Sequence, residues 1–379
     1  MTPQTPHLPR WAQALRQQRT ELGWDVHRLA VELVQAAGRH NTATAESLAR
    51  RIRAWEAGSS GIRERYRLLL AQVLQVDPEV FADQPVEPGA PAQASRIRST
   101  SAHLVSLDVA LGGTDLVPAA VRAARTAHAS ARAGASADVV SAAAEALQVA
   151  GWLAFDADEH VLARRLTSAS VLAARVGEDR GGELFALSQL AMHDAHERLP
   201  LQARQVCEHV LDQQLSSRLT CLFELRLARS QGQSNTPIRA LGTLRRARSR
   251  LQDGANDDDP PWAWWITESE LTWHEAMIHA DNGNWDRAQE LFALAREQRP
   301  ARYPRGPLVD AVHQLHALVH LRAWGAAQEV LTTAVIPAVG QVRSARTNAL
   351  LARTVGLSER AAAPISVREL MRAASAAAY

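Results

Sequence analysis

The sequence is poor in the residues that build disulfide scaffolds, membrane spans and β-sheets. Only two of its 379 residues are Cys, which favours a reducing cytoplasm over secretion. No apolar run approaches the roughly 18 residues that a membrane span requires, and the first residues lack the basic-then-apolar order of a signal peptide. Aromatic residues make up 5%, strand formers are scarce, and Ala, Leu and Arg abound. We therefore expect an all-α cytoplasmic protein.

Lysine is missing altogether, so that all 42 basic residues are Arg. Codon bias in a GC-rich genome explains this choice without any function. The distribution of charge is more informative than the net charge of +2. Residues 1–76 contain eleven Arg against six Asp or Glu, a charge of +5, which leaves about −3 for the remainder. A small basic module joined to a larger, mildly acidic one favours a polyanion-binding domain with an appendage.

The basic module is predicted to contain five short helices within residues 8–83. Gly23 stops the first helix, and Asp25 caps the second, whose apolar residues recur at i, i+3, i+4 and i+7. In the last helix, Asp as a cap is followed by Pro at the first helical position, a frequent start signal. The predicted helices begin near Pro9, Val26, Thr44, Ile62 and Asp77.

The third predicted helix has one apolar and one basic face. At about 100° per residue, Leu48, Ile52 and Trp55 form a narrow buried stripe. Arg50 and Arg53 project from the opposite side. A helix of this kind suits the DNA major groove, where Arg pairs bidentately with guanine or phosphate. The alternative is a solvated Arg face on an ordinary helix.

Several short motifs in this module resemble the helix-turn-helix of the Cro/C1 (XRE) repressor family, in particular its actinobacterial members. The motifs are Leu15–Arg19, Gly23–Ala30, Ile52–Gly58 with its Trp-Glu-x-Gly end, and Tyr66–Leu69 with the order Tyr-Arg-x-Leu. The resemblance implies binding of double-stranded DNA at a pseudo-palindromic operator by a homodimer.

The same resemblance assigns roles to individual residues. Val26 begins the first helix of the motif, and Arg51 lies on the flank of the second. The usual short turn between the two helices is replaced by the longer Gly38–Ala43, which leaves their angle open. The DNA-facing positions are Ala49, Arg50, Arg51, Arg53 and Ala54.

A small residue recurs at a nearly constant spacing in the C-terminal part of the chain. The segment Gly283–Pro300 has the order of Gly, aromatic residues, Ala and Pro that is typical of a tetratricopeptide unit. Small residues at these positions let paired helices approach closely. The equivalent alanines are Ala163, Ala203, Ala240, Ala288 and Ala327, and the positions twelve residues earlier are Gly151, Ala191, Ala228, Ala276 and Leu315.

These features predict four regions. Residues 8–83 form the helix-turn-helix domain, and the Pro- and Gly-containing residues 84–102 form a linker. Residues 103–357 form a tetratricopeptide-like α-solenoid, interrupted by a solvated acidic loop at residues 252–261. Residues 358–379 form a tail with one short helix capped by Ser366.

The repeat region also resembles the sensory half of actinobacterial helix-turn-helix/tetratricopeptide regulators. Gly151-Trp152, the Pro-Pro-Trp262 insertion, Tyr303-x-Arg305 and Ser344–Thr347 carry this resemblance. In such arrays the first helix of each pair lines a concave groove. The alternative role of each groove candidate is packing in the core. The alternative occupants of the groove are the chain's own tail and a dimer partner. The groove candidates are Gln148, Trp152, Ser188, Met192, Arg229, Trp273, Met277, His316 and His320.

No residue set predicts catalysis, a cofactor or a bound metal. His313, His316 and His320 share one helix face, but a groove or packing role is favoured over a metal site because no Cys accompanies them. Cys207 and Cys221 lie on apolar faces and are predicted to be buried thiols.

Taken together, the motifs and the repeats predict a non-enzymatic transcriptional regulator that senses a peptide, a small molecule or a protein. The alternative is a helical-repeat scaffold whose N-terminal module does not bind DNA.

Overall fold

A computed structural model describes residues 8–37, 43–74, 76, 78–81, 91–131, 135–299 and 304–378, and these residues are helical or in turns, without any strand. Among them, no helix combines the length and the apolar character needed to cross a bilayer. The all-α prediction is confirmed over this part of the chain. The helices are α1 Arg10–Glu21, α2 Val26–Ala36, α3 Ala45–Glu56, α4 Glu64–Leu74, α5 Pro91–Leu111, α6 Val117–Ala131, α7 Ala137–Asp156, α8 His160–Val176, α9 Arg180–His196, α10 Pro200–Leu211, α11 Ser217–Gln233, α12 Pro237–Leu251, α13 Glu268–Asp281, α14 Trp285–Gln298, α15 Arg305–His320, α16 Trp324–Val330, α17 Ile336–Val339, α18 Ala345–Arg360 and α19 Ile365–Ala377.

The chain divides into two compact units, which do not follow the order of the sequence. The first unit consists of Met1–Glu87, Gln214–Leu222 and Arg246–Thr267, and the second contains the rest. Helix α5 occupies residues 91–102 of the segment predicted as a linker, while residues 82–90 lie outside the described residues.

The C-terminal segment predicted as a tail is also helical. Helix α18 runs through Arg360, and α19 follows. The cap of α19 is Pro364 and not Ser366. Val367 and Met371 are buried in a cluster with α15–α18, so α19 packs on the last helices of the second unit.

The helix starts of the first unit follow the sequence signals. Asp25 Oδ1 accepts a hydrogen bond from Arg28 N at 2.6 Å, and Thr44 Oγ1 accepts one from Ser47 N at 3.2 Å. Each satisfies a backbone donor that has no partner within its helix. The cap at Asp25 was predicted and is confirmed, and α3 begins next to Thr44, near which its start was predicted.

Contacts between α1, α3 and α4 give a packing role to several residues of the motifs that resemble the Cro/C1 family. Arg19 of α1 forms a bidentate ion pair with Glu56 of α3, with N–O distances of 2.6 and 2.9 Å. Trp55 is 3% exposed, and its ring centre lies 5.2 Å from that of Tyr66 on α4. Gly58 has φ +66°, and a Cβ there would come within 2.6 Å of Pro9 Cδ. The Trp-Glu-Ala-Gly end of α3 therefore packs against α1 and α4.

The acidic loop contributes to the first unit. Asp257 and Asp258 are exposed as predicted, but Asp259 is only 3% exposed, which corrects the prediction of a solvated loop. Its carboxylate lies 3.6 Å from Nε of Arg218, which is buried as well. Arg218 also donates hydrogen bonds to the carbonyl oxygens of Ala263 and Ile266. A buried guanidinium requires such partners because its charge cannot be left without solvent or a counter-charge.

Within the second unit, consecutive helices pack side by side through small residues. A Cβ at Gly151 on α7 would lie 2.5 Å from Thr167 Oγ1 on α8, so only Gly allows this approach. The alanines identified by their spacing are all completely buried, which places the small residues where the helices meet. They are Ala163, Ala203, Ala240, Ala288 and Ala327.

The turns between these helices share one backbone conformation. One residue in each has φ between 52° and 74°, and the next residue or the one after it donates its N–H to a carbonyl near the end of the preceding helix. Glu159 N, for example, bonds Ala154 O at 2.9 Å. This is the helix-ending geometry that usually uses Gly. The left-handed residues are Asp158, Glu178, Arg198, Asn235, Gly283, Arg322 and Ala362.

Replacing Ala362 with glycine is expected to raise the free energy of unfolding by up to about 1 kcal/mol, because φ is 54° there and a Cβ is unfavourable in this region. Ala362 is exposed, so no packing is lost. The neighbouring Ala361, with φ −80°, provides the control, since glycine there should destabilise. Urea unfolding of both variants measures the effect, and a loss of stability in Ala362→Gly contradicts the expectation.

Candidate functional site

The outward face of α3 carries two exposed arginines. Arg50 and Arg53 are exposed, and in the described part of the chain their side chains form no ion pair. Ala54, which follows Arg53, is half-buried, as is Val26 at the start of α2. Ala49 is only 4% exposed and belongs to the core. It was predicted to face DNA, but its side chain lies on the inner face of α3.

Arg51 occupies the flank of α3 and is held by α4. Its Nη1 donates a hydrogen bond of 2.6 Å to the hydroxyl of Tyr66, and its guanidinium lies 5.4 Å from the centre of that ring. The side chain is exposed. Stacking and hydrogen bonding restrict its rotamers while its remaining N–H donors stay free for a ligand. Most of the predicted long turn, residues 38–42, lies outside the described residues.

The nine groove candidates do not share one open surface. Gln148, Ser188 and Arg229 are buried, with 6%, 0% and 8% exposure. A cavity of about 370 Å³ in this unit is lined by Asp158–Leu162 and Arg165, none of which was predicted. The other candidates are half-buried, except for the exposed His320; they are Trp152, Met192, Trp273, Met277 and His316.

Arg229 is engaged in the packing of the second unit. Its guanidinium pairs with Asp281, which also pairs with Arg198 at 2.8 Å, and Arg229 Nη1 donates to Met277 O at 3.0 Å. Burial lowers the pKa of Arg229 to about 9, with a smaller contribution from Arg198. Arg229 therefore joins α11 to α13. It was predicted to line the groove, but its contacts are those of a packing residue.

The histidines of α15 pack on indole rings. His320 stacks parallel to Trp285 with 3.9 Å between ring centres, and His313 meets Trp273 edge-on at 5.3 Å. His316 Nδ1 lies 2.9 Å from Thr354 Oγ1. Burial lowers the pKa of His313 to about 3. This row is a set of aromatic contacts, as the packing interpretation predicted.

A buried cluster of two carboxylates and two guanidinium groups was not predicted. Asp156 is completely buried, and its Oδ1 lies 2.8 Å from Arg305 Nη2 and 3.4 Å from Arg346 Nη2. Asp108 is 3% exposed, with Oδ1 3.7 Å from Arg305 Nε. Because these residues belong to α5, α7, α15 and α18, the cluster joins helices near the N-terminal end of the unit to helices near its C-terminal end.

Aromatic rings and a hydroxyl complete this cluster. Arg305 lies 4.8 Å from the centre of the Trp152 ring, and Trp152 Nε1 donates to Asp108 Oδ2 at 2.8 Å. Ser344 Oγ donates to Asp156 Oδ1 at 2.9 Å. Trp152, Arg305, Ser344 and Arg346 are residues that carry the resemblance to regulators, and the structure brings them together.

The cluster keeps its charges paired. Burial alone would raise the pKa of Asp156, but Arg305 and Arg346 outweigh it and lower that pKa to about 2. For Asp108, burial is the larger effect and raises the pKa. Asp156 and its two guanidinium partners therefore form an ion-paired joint between α7, α15 and α18. Cys207 and Cys221 are fully buried, as predicted, and burial raises the pKa of Cys207 to about 12.

Comparison with protein-family models and with curated protein sequences gives no match for this chain.

Proposed function

We propose that this protein is a sequence-specific DNA-binding transcriptional regulator in which α2 and α3 act as an XRE-type helix-turn-helix. The observation that carries the proposal is the exposure of Arg50 and Arg53 on a helix whose opposite face is fully packed. Leu48 and Ile52 are 1% and 0% exposed, so α3 has one rigid side and one free basic side.

The dimensions and chemistry of this face fit the major groove. The groove is about 12 Å wide and admits one α-helix. Guanine presents two acceptors there, which the fork of an Arg side chain matches. Arg51, held beside Tyr66, suits a phosphate contact at the rim of the groove. The charge of +5 on residues 1–76 adds attraction to the DNA backbone that does not depend on sequence.

The second unit is proposed to be a tetratricopeptide-like array that dimerises and senses an effector. Its support is the repeated burial of alanines between paired helices and the recurrence of one turn geometry. The half-buried Trp152, Met192, Trp273 and Met277 offer contact area for a peptide, a small molecule or a protein partner. An effector that binds one arrangement of the dimer better than another would change DNA affinity.

Arg50→Ala and Arg53→Ala are each expected to weaken binding to the preferred DNA site by about 1–3 kcal/mol and to relax base preference. The site is obtained by genome-wide mapping of bound DNA and footprinting. Fluorescence anisotropy at several salt concentrations then measures affinity. Unchanged affinity in both variants contradicts the proposal and favours a protein-docking scaffold.

Two further variants separate base reading from general attraction. Arg16→Ala removes an exposed charge from α1, and we expect a smaller loss than at either outward residue of α3. Arg51→Ala should lower affinity for all sequences alike and reduce the salt dependence by about one phosphate contact. If Arg16→Ala weakens DNA binding as much as Arg50→Ala does, the loss in Arg50→Ala comes from the reduced net charge and not from a lost base contact.

A further inference from the structure

The turn between α7 and α8 and the end of α9 bring two histidines and two carboxylates together. Asp158, His160 and His196 each have a ligand atom within 4.8 Å of one in the other two. His160 Nε2 lies 3.0 Å from Asp158 Oδ1 and 3.6 Å from Glu197 Oε1. His160 and His196 are 36 positions apart in the sequence, so no local pattern indicates this group.

The spacing of these atoms fits one small ion. Zinc binds imidazole nitrogen and carboxylate oxygen at about 2.0–2.2 Å, so two donors of a tetrahedral site lie roughly 3.4 Å apart. The distance of 3.0 Å between His160 Nε2 and Asp158 Oδ1 is close to that value, and His196 has a ligand atom within 4.8 Å of both residues.

The backbone and the neighbouring rings hold these side chains in place. Asp158 has φ 64°, and the turn is closed by hydrogen bonds from Asp158 N and Glu159 N to α7. The ring centres of His160 and His196 are 4.9 Å apart. Phe155 contacts both, at 5.8 and 5.1 Å. A site whose ligands are positioned in advance loses little entropy when the ion binds.

The group is also open to solvent. Asp158 is exposed, while His160 and His196 are half-buried. Asp158, Glu159 and His160 line the cavity of about 370 Å³, which gives an ion a path to the ligands.

We propose that Asp158, His160 and His196 are the protein ligands of a zinc-binding site, with water in the fourth position. The mixture of imidazole and carboxylate ligands selects zinc over magnesium, which prefers an octahedron of oxygen atoms. The bound ion ties the α7–α8 turn to the end of α9, two neighbouring helix pairs of the second unit. Its role is to fix the angle between them. This proposal does not depend on DNA binding.

The test uses the tag-free full chain after treatment with a chelator and removal of that chelator. Co²⁺ is titrated while the visible d–d bands are recorded, and Zn²⁺ is then added to displace it. We expect one equivalent of Co²⁺, bands typical of four-coordinate cobalt, and displacement by Zn²⁺ but not by a large excess of Mg²⁺. No binding, or displacement by Mg²⁺, overturns the proposal.

Variants assign the ligands. His160→Gln and His196→Gln should each lower the affinity for Co²⁺ and Zn²⁺ at least tenfold, whereas His209→Gln, which changes an exposed histidine of α10, should leave it unchanged. Equal affinities in all three variants overturn the proposal. Circular dichroism checks the fold. If the histidine variants lose helix, the affinity of Asp158→Asn for Co²⁺ and Zn²⁺ is the deciding measurement, because Asn tolerates the left-handed backbone region. Unchanged affinity in Asp158→Asn overturns the proposal.

Discussion

Trp55→Ala is expected to destabilise the first compact unit by about 3–5 kcal/mol, the usual cost of truncating a buried Trp. Trp55 is 3% exposed, packs with Leu48 and Ile52, and contacts Tyr66. Unfolding of whole proteins costs only about 5–15 kcal/mol, so a unit of this size loses much of its stability. DNA binding should be lost with the fold of α3.

Hydrogen exchange followed by mass spectrometry locates the effect. Amide protection should fall in α1–α4 and also in residues 214–222 and 246–267, which belong to the same unit, while α7–α9 stay protected. Arg50→Ala is the matched control, because it truncates an exposed residue of the same helix and should change stability by less than about 0.5 kcal/mol. Loss of protection throughout the chain would show that the units unfold together. Protection unchanged in α1–α4 would show that Trp55 is not needed for their fold.

Asp156→Asn is expected to destabilise the second unit by about 3–5 kcal/mol, since it leaves buried guanidinium groups without their counter-charge. The substitution preserves the shape of the side chain and its acceptor for Ser344. It removes the charge that faces Arg305 and Arg346 and the oxygen that accepts a hydrogen bond from Gly113 N at 3.3 Å. The size of the effect therefore reports the polar contacts of the cluster and not a cavity.

Denaturant unfolding measures this loss, with Asp138→Asn as the control, because it makes the same change at an exposed position of α7. The pH dependence gives a second measurement. The pKa of Asp156 is lowered from 3.8 to about 2 in the folded chain, so its contribution is complete above about pH 4 and is lost as the pH falls towards 2. The difference between wild type and Asp156→Asn should shrink over that range. Equal stabilities of Asp156→Asn and Asp138→Asn contradict the expectation.

Local features were predictable from the sequence because their causes are local. The caps at Asp25 and Thr44, the buried stripe of α3 and the outward Arg50 and Arg53 depend on residues within one or two helical turns. The small residues of the repeats were found because their spacing is nearly constant. The first part of α5 was missed because the Pro and Gly residues before it suggested a linker. A short helix was predicted in the tail, but the packing of α19 on α15–α18 was not.

Contacts between distant residues were not predictable in this way. Asp108 and Asp156 look like ordinary helical carboxylates, and nothing near them in the sequence indicates Arg305 or Arg346. The same holds for Asp259 and Arg218, and for the histidines around Asp158. Arg229 was assigned to a groove because its helix position faces that way, but the neighbouring Asp281 takes up its charge.

The cluster that joins α7 to α18 also matters during synthesis. Ser344 and Arg346 follow Asp156 by 188 and 190 residues. At a translation rate of roughly 5–20 residues per second, Asp156 leaves the ribosome about 10–40 s before these partners exist. In that interval the growing chain has a carboxylate that cannot be buried without cost, which keeps its surroundings hydrated. Completion of the second unit is thus delayed until its C-terminal helices are made, and a nascent chain stalled before Ser344 should be sensitive to protease around α7.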